Sequence, residues 1–290
     1  AVHAVVGLRF PDRADGAELR VAGQRDAQDA DRRFARQVER RGQLQLEPVA
    51  GQADHPDSMD GAIETAGELA ENRIGQGWLS EEGNSHAAGE MLVDEHAEMA
   101  AALIMSEDNL FNRVGARVHD VTHPHWRQDM EILVGIAGRR LPFITLPKPC
   151  SAGDVKVQIE ALREIEQNFG VDRRIPVHVL IETHGALREV WEIAALPGVE
   201  SLDFGLMDFV SGHHGAIPGS AMKSPGQFEH PLVTRAKCEI SAAALACGVV
   251  PSHNVTTELK DIDYIRNDAR RARSEFGYLR MWSIHPNQIV

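Results

Sequence analysis

Strand-like and helical stretches alternate along the second part of the chain. Short apolar runs rich in branched or aromatic residues predict buried strands. These runs are Val114–Val118, Phe143–Leu146, Val177–Ile181, Ser201–Phe204, Gly248–Val250 and Met281–Ile284. Apolar residues at helical spacing follow most of them and predict helices at Trp126–Ile136, Ala186–Leu196, Leu232–Ala246 and Leu259–Phe276. A helix behind the second strand is marked by an S-x-x-D capping box, Ser151 and Asp154, and a buried face running from Val155 to Phe169.

The first part of the chain has a weaker pattern. Ala4–Phe10 predicts one strand, and Asp26–Arg40, Ser58–Ile74 and Glu90–Ile104 predict helices. The segment up to Gly77 is poor in the branched residues that a buried parallel strand needs. We therefore treat residues 1–90 as an atypical N-terminal segment, irregular or altered, and residues 91–290 as the main part of the domain.

The repeat of strand and helix predicts an α/β fold. The six strand–helix units occupy about 30 residues each, which is the period of a (β/α)₈ TIM barrel of about 250 residues. Residues 1–112 are long enough to supply two more units, so we expect a TIM barrel with an atypical first quarter. A doubly wound open sheet is the alternative, but no G-x-G-x-x-G motif follows a strand to favour it.

Two carboxylates follow neighbouring strands of this predicted sheet. Glu182 comes directly after Val177–Ile181, and Asp208 comes shortly after Ser201–Phe204. Because a helix connects the strands, they should be parallel, and both acids should lie at the same edge of the sheet. Two carboxylates at close range repel unless a proton or a cation lies between them, and Mg²⁺ is commonly held by one or two carboxylates. The alternative is that both are ordinary solvated loop acids.

Composition narrows the classes of function. The chain has 290 residues, 43% of them hydrophobic, and a net charge of −13. That charge argues against a general binder of nucleic acid or of a membrane surface. No apolar run approaches the length of a membrane span, and Ala1–Phe10 lacks the features of a basic, apolar leader. Three cysteines in no C-x-x-C pattern fit a reducing cytoplasm, which is the location we expect.

Five motifs in order carry a family resemblance. They are Arg117 at a strand end, T-L-P-K (145–148), I-E-T-H-G-A-L (181–187), F-G-L-M-D-F (204–209) and S-I-H-P-N-Q-I (283–289). Together, over roughly residues 90–290, they resemble the citrate lyase beta-subunit-like branch of the HpcH/HpaI aldolase family, which includes malyl-CoA lyases and related thioesterases. The resemblance implies a (β/α)₈ barrel and Mg²⁺-dependent cleavage or formation of a carbon–carbon bond next to a carbonyl, often in a CoA thioester.

The resemblance also assigns roles to residues of this chain. Glu182 and Asp208 match the metal carboxylates, and Arg117 matches an arginine that binds the acid or carbonyl oxygens of the substrate and serves catalysis. The backbone amides of Gly205, Leu206 and Met207 match a loop that receives the substrate carboxylate. Lys148 matches a strand-end lysine, for which a supporting ion pair and a substrate contact remain open. His285 and Pro286 match the I-H-P motif at the end of the eighth strand.

The chain departs from the family pattern in places. The acidic motif expected after the second strand has only Leu79–Gly83 as its nearest counterpart, without a preceding strand, and the region after Val250 reads P-S-H-N where many relatives have an aspartate. Relatives often continue past the eighth strand into a lid that helps complete a neighbouring active site. We expect a homo-oligomer, a trimer or hexamer, with a small CoA thioester or 2-oxo acid as ligand.

The sequence leaves three functions open. The first is a Mg²⁺-dependent lyase of a hydroxyacyl-CoA such as malyl-CoA or citramalyl-CoA. The second uses the same site as an aldolase of 2-oxo-4-hydroxy acids or as an acyl-CoA thioesterase. The third is a non-catalytic subunit or paralogue.

Overall fold

A sheet of seven strands organises the part of the chain that the structure, a computed structural model, describes: residues 3–6, 86–107 and 109–288. The strands are β1 (His3–Val6), β2 (Val114–Arg117), β3 (Ile144–Leu146), β4 (Val177–Ile181), β5 (Val199–Phe204), β6 (Val250–His253) and β7 (Arg280–Met281). They lie side by side in chain order. β1 is antiparallel to β2, and every later neighbouring pair is parallel. The sheet is curled into half of a barrel.

Helices connect the parallel strands. They are α1 (His86–Met105), α2 (Trp126–Ala137), α3 (Ala152–Asn168), α4 (His184–Arg188), α5 (Val190–Ala194), α6 (Leu206–Ser211), α7 (Pro231–Ala246) and α8 (Ile262–Phe276). Short 3₁₀ turns occur at Gly219–Met222, Gly226–Phe228 and Pro286–Gln288. The helices from Ala87 onward, the parallel strands and β1 belong to one compact unit. No helix in the described part of the chain combines the length and the apolar character that crossing a bilayer requires.

The α/β prediction and the six parallel strands are confirmed, and the capping box forms as predicted. Ser151 accepts a hydrogen bond from the Asp154 amide, and the Asp154 carboxylate accepts one from the Ser151 amide. The remainder of Ala4–Phe10 and the predicted helices Asp26–Arg40 and Ser58–Ile74 lie outside the described residues.

Several details differ from the predictions. β6 covers Val250–His253 rather than Gly248–Val250, and α8 begins at Ile262 rather than Leu259. The helix expected over Ala186–Leu196 is broken at Glu189, whose φ of −106° and ψ of 23° separate α4 from α5. Phe169, which we expected on the buried face of α3, is 51% exposed because it lies at the end of the helix. The last strand has two residues, Arg280 and Met281, rather than the predicted Met281–Ile284.

The two faces of the sheet differ in chemistry. The face toward the helices carries the apolar residues of every central strand, and these form one continuous core: Ala116, Val118, Ile144, Leu146, Val177, Val179, Ile181, Leu202 and Phe204. The alternate residues point to the opposite face because side chains alternate along a strand. That face is more polar and includes Arg117, Thr145, His178, Ser201, Asp203, Ser252 and Arg280. The candidate site lies where this face meets the carboxyl ends of the strands.

Candidate active site

Strand register brings Arg117 and Glu182 to one face of the sheet. Arg117 is paired with Thr145, and Thr145 is paired with His178. His178 and Glu182 are four residues apart along β4 and its extension, so they share a face. The arginine and the glutamate therefore belong to the same polar face.

Glu182 is a buried carboxylate, 6% exposed, directly after β4. Its Oε1 accepts a hydrogen bond of 2.9 Å from the backbone amide of Lys148. Burial raises the pKa of Glu182 to about 7, and the negative charge of Asp208 adds to the rise. The Lys148 amide and the charges of Lys148 and Arg117 oppose that rise. At neutral pH this carboxylate is therefore poised between a protonated and a charged form.

Gly205 is packed against Glu182. A Cβ atom at position 205 would collide with the Glu182 side chain, lying 2.5 Å from its Cβ and closer still to Oε2. The φ of Gly205 is −89°, which any residue can adopt, so the requirement for glycine here is one of space. The glycine of the F-G-L-M-D-F motif thus lets the β5–α6 connection approach the carboxylate.

Asp208 lies in the first turn of α6. Its Oδ1 is 2.9 Å from the Lys148 Nζ, and its side chain is about one third exposed. Burial works against the charge on Lys148, but its hydrogen bond to Asp208 and the charges of Asp208 and Glu182 raise the pKa of Lys148. Lys148 therefore contacts both carboxylates, through its backbone amide and its ammonium group. Its φ of 51° is rare for a residue with a side chain.

The loops after β3 and β4 are held together by short-range contacts. Thr183 donates a hydrogen bond to the Pro149 carbonyl and accepts one from the Ala186 amide, so it also caps α4. A Cβ at Gly185 would collide with the backbone of Cys150. These contacts fix the loop that carries Lys148 relative to the one that carries Glu182.

Arg117 lies in the electric field of both carboxylates. Burial lowers the pKa of its guanidinium, and the charges of Glu182 and Asp208 oppose that change. A guanidinium carries five N–H donors and no acceptor, which suits the oxygen atoms of an anionic ligand. The candidate site therefore combines two carboxylates with two cations.

The backbone donors predicted at residues 205–207 are not equivalent. The Gly205 amide donates to the Ile181 carbonyl at 3.2 Å, which closes the β4–β5 pairing. Leu206 and Met207 begin α6, where amides lack a helical partner one turn back. The amides of Leu206 and Met207 are therefore the better candidates for contacting an anionic ligand.

The donor set suits a hard divalent cation. Mg²⁺ prefers oxygen ligands, is usually held by one or two carboxylates, and leaves positions for water and substrate. The mutual repulsion that helps raise the pKa of Glu182 is what a cation between Glu182 and Asp208 would relieve. Groups of three or more His, Cys, Asp or Glu side chains placed to bind a metal do not occur in the described residues.

A histidine–aspartate pair next to Arg117 escaped the sequence reasoning. Both the backbone amide and the Nδ1 of His119 donate to Oδ2 of Asp129, at 2.8 and 2.7 Å. The His119 ring stacks on His123 with centroids 3.9 Å apart. Burial lowers the pKa of His123, and the neighbouring His119 and His125 add to this. The sequence signal was the spacing of Arg117 and His119, which places both on one face of the extended strand.

Three further residues have contacts or exposure of their own. His253 is fully buried on the helix side of β6. Cys150 is a free thiol on an exposed residue. The Nδ1 of His285 accepts a hydrogen bond from the Asn287 amide and so stabilises the last turn.

Comparisons with known proteins agree with the geometry. The family model described as HpcH/HpaI aldolase/citrate lyase matches residues 95–286. A protein of Cereibacter sphaeroides named L-malyl-CoA/beta-methylmalyl-CoA lyase is 28% identical over 68% of this chain and 65% of its own length. The chain spans only 58% to 65% of the curated Cereibacter relatives that it matches.

Solved structures give the same result. A citrate lyase from Burkholderia xenovorans is 55% identical over 68% of this chain and 61% of its own, with a TM-score of 0.66. RipC from Yersinia pestis, at 20% identity, shares the fold with a TM-score of 0.52 over 72% of this chain and 82% of its own. The chain therefore belongs to the HpcH/HpaI aldolase/citrate lyase family.

Proposed function

We propose that the protein is a Mg²⁺-dependent carbon–carbon lyase that acts on a hydroxyacyl-CoA such as malyl-CoA or citramalyl-CoA. The observation that carries this proposal is the pair Glu182 and Asp208, flanked by Arg117 and Lys148 at the carboxyl ends of parallel strands. Carboxyl ends of parallel strands are where α/β folds bind ligands. The lyase name of the Cereibacter relative supports the choice of a CoA thioester.

Glu182 and Asp208 would hold the metal ion, which when bound polarises the carbonyl of the 2-oxo acid and orients it. In the cleavage direction the substrate hydroxyl would give its proton to water, and the carbon–carbon bond would break as the hydroxyl carbon becomes the carbonyl of the 2-oxo acid. The electrons of that bond would pass to the thioester as an enolate, whose carbon would then take up a proton from water. Arg117 would stabilise the negative charge that develops on the thioester oxygen. The amides of Leu206 and Met207 would bind the substrate carboxylate, and Lys148 would keep Asp208 oriented.

The proposal extends to the architecture, the oligomeric state and the location of the protein. The six parallel strands and their helices would be part of a (β/α)₈ barrel, with residues 91–290 as its main part and residues 1–90 as an atypical segment. The chain would act as a homo-oligomer, a trimer or hexamer. The cysteines at 150, 238 and 247 are all free, which supports our expectation of a reducing cytoplasm.

One incubation with malyl-CoA and Mg²⁺, measured in two ways, tests the reaction. Glyoxylate is trapped as its phenylhydrazone, and free CoA thiol is titrated in parallel. We expect glyoxylate without thiol, which identifies a lyase. Thiol without glyoxylate identifies the thioesterase alternative instead.

Inactivity with malyl-CoA calls for a second set of substrates at the same site. Citramalyl-CoA and free 2-oxo-4-hydroxy acids, each supplied with Mg²⁺, separate a different acyl chain from the aldolase alternative. If all of them stay at background, the chain acts as a non-catalytic subunit or paralogue and the lyase proposal is wrong.

A further inference from the structure

Helix α7 carries a lysine whose side chain is fully buried. Lys237 is 0% exposed, and its Nζ contacts three acceptors: Gln227 Oε1 at 3.3 Å, Asn254 Oδ1 at 2.7 Å and the Nε2 of His253. An ammonium group has three N–H donors and no acceptor. Every proton of a charged Lys237 therefore has a partner.

The imidazole of His253 is in the form that this arrangement requires. Its Nδ1 lies 3.0 Å from the Asn254 carbonyl, which can only accept, so the Nδ1 carries a proton and the Nε2 accepts from Lys237. Burial and the charge of Lys237 lower the pKa of His253 well below its usual range, which keeps the ring neutral. The end of β6 is thus bonded to α7 through the Nζ of Lys237.

The same lysine is bonded to the long segment that follows Asp208. Gln227, in the 3₁₀ turn of that segment, accepts from Lys237 and from Asn254, and donates to Asp268 of α8 at 2.9 Å. Ser224 donates to Asp268 as well, and its backbone exchanges hydrogen bonds with the Tyr264 hydroxyl. The segment 212–230 is therefore tied to two helices and one strand end by one continuous polar network.

Aromatic rings connect Lys237 to the candidate metal site. The Nζ lies 4.7 Å from the ring centroid of Phe228 and 5.6 Å from that of Phe204. Phe204 ends β5 and packs edge to face on Phe209, with centroids 5.4 Å apart. Phe209 is the neighbour of Asp208 in α6. One layer of rings therefore separates the buried ammonium from the segment that carries the metal carboxylate.

Stability alone does not explain a cation in this position. Burial lowers the pKa of Lys237, and the nearby Asp268 carboxylate opposes that change. Replacing the whole network by apolar residues of similar volume would avoid desolvating a charge and is often neutral or stabilising, whereas removing Lys237 alone leaves Gln227, His253 and Asn254 without its donors. A network with every donor satisfied does, however, specify one arrangement of the segments that it joins.

We propose that Lys237 is a positioning residue of the candidate active site. Its ammonium group fixes the segment 212–230 at Gln227 and, through the rings of Phe204 and Phe209, holds Asp208 in the place where a divalent cation binds. The second half of this proposal rests on the proposed function, whereas the first half does not.

The test compares Lys237→Met with the wild type in the full chain. Hydrogen–deuterium exchange of peptides covering 212–230 is measured, together with Mn²⁺ affinity by electron paramagnetic resonance. We expect exchange in 212–230 to accelerate at least about tenfold and Mn²⁺ affinity to fall about tenfold, as is usual when a group behind a metal ligand is removed. If lyase activity is present, kcat should fall more than KM changes, because the metal site is displaced and substrate contacts remain.

Two further variants keep the test decisive. Gln227→Met removes the segment's own acceptor and should give the same changes even if Lys237→Met fails to fold. Arg163→Met removes a partly buried cation that bonds Glu166 and the Ile175 carbonyl, before the start of β4, and should lower stability without changing either readout. If exchange and Mn²⁺ affinity in Gln227→Met and in any folded Lys237→Met stay within about twofold of wild type, the positioning role is wrong.

The outcomes also separate this proposal from the proposed function. Faster exchange in 212–230 with weaker Mn²⁺ binding, in a protein that is inactive on every substrate, supports the positioning role and contradicts the lyase. If the protein is an active lyase and neither variant alters exchange or Mn²⁺ affinity, the proposed function is supported and the positioning role of Lys237 is contradicted.

Discussion

Two glutamates on neighbouring strands of the sheet have opposite electrostatic environments. Glu182 follows β4 and lies beside the carboxylate of Asp208, and its pKa is raised to about 7, first by burial and then by that charge. Glu200 lies near the start of β5. Hydrogen bonds from His178 and Arg280 lower its pKa to about 2, against the opposing effect of burial. The charged form of the glutamate side chain is therefore destabilised at position 182 and stabilised at position 200.

The difference follows from the partners that the fold supplies. At Glu200 the Arg280 guanidinium lies 3.0 Å away and the His178 Nε2 3.3 Å away, so the folded chain itself supplies partners that stabilise the charged carboxylate. At Glu182 the ammonium of Lys148 is bonded to Asp208 instead, and the hydrogen bond that Glu182 accepts within the described part of the chain comes from a backbone amide. Glu200 therefore has charged partners of its own at the start of β5, whereas Glu182, after the end of β4, is next to a lysine whose ammonium is already bonded to Asp208. An incomplete pair is what a ligand cation can complete, and perturbed groups of this kind mark functional sites.

Replacing Glu182 by Gln should have the largest effect on function. Gln retains an oxygen for the Lys148 amide but removes a charge from the metal pair, so we expect Mn²⁺ binding to be abolished and lyase turnover to fall on the order of a thousandfold. Because the charged form of Glu182 opposes folding above pH 7, the melting temperature at pH 8 without metal should stay level or rise. Calorimetry measures the melting temperature, and Mn²⁺ titration measures the loss of metal binding. A variant that still binds Mn²⁺ as tightly as wild type would remove Glu182 from the metal site.

Adding one methyl group at Gly205 should have the next largest effect. Gly205→Ala places a Cβ against the Glu182 side chain, which must move, and we expect Mn²⁺ affinity to drop by about tenfold to a hundredfold. Gly153→Ala is the matched control, because a Cβ there meets only Ser151 Oγ at an ordinary 3.4 Å. The control should leave affinity unchanged. If Gly205→Ala and Gly153→Ala had the same Mn²⁺ affinity, the close approach of Gly205 and Glu182 would be contradicted.

Metal affinity should also depend on pH through Glu182. Its folded pKa of about 7 is above its ordinary 4.5, so a proton competes with the cation below pH 7. We expect Mn²⁺ affinity to rise about tenfold between pH 6 and pH 8. Without metal the linkage has the opposite sign. The folded state holds this proton more tightly, so stability should decrease as pH rises from 4.5 to 7. A flat Mn²⁺ affinity over this range would contradict the raised pKa.

The sequence predicted the parts of the fold that depend on short-range pattern. Alternating apolar runs located the six parallel strands, and the strand–helix–strand order placed Glu182 and Asp208 at one edge. The break between α4 and α5 was missed; it lies at Glu189, which contacts a segment remote in sequence. The Glu189 side chain accepts a hydrogen bond of 2.9 Å from the Ala152 amide at the start of α3, and helical spacing carries no information about such a contact.

Side-chain contacts between strand ends and helices were also missed, because their partners are remote in sequence. The contact of His119 with Asp129 joins the end of β2 to α2, and the contact of Lys237 with His253 joins α7 to β6. Neither pair has a fixed spacing that a motif could record. The face of each residue could be predicted from alternation, but its partner depends on how the helices pack on the sheet.

Replacing Glu200 by Gln should have the smallest effect, and one confined to stability. Its lowered pKa stabilises the folded state above its ordinary value of 4.5, and this contribution is lost as the pH falls toward 2. Since the Glu200 side chain is 41% exposed, solvent screens the pair, and we expect a loss of only about 1 kcal/mol at pH 7. Denaturant unfolding of wild type and Glu200→Gln, followed from pH 7 to pH 2, should show this difference shrinking to nothing. Mn²⁺ affinity should be unaffected, because Glu200 is paired with Arg280 and His178 and is not one of the two carboxylates proposed to hold the metal. A loss of metal binding in Glu200→Gln would mean that the two ends of the sheet are coupled and that the contrast between them is false.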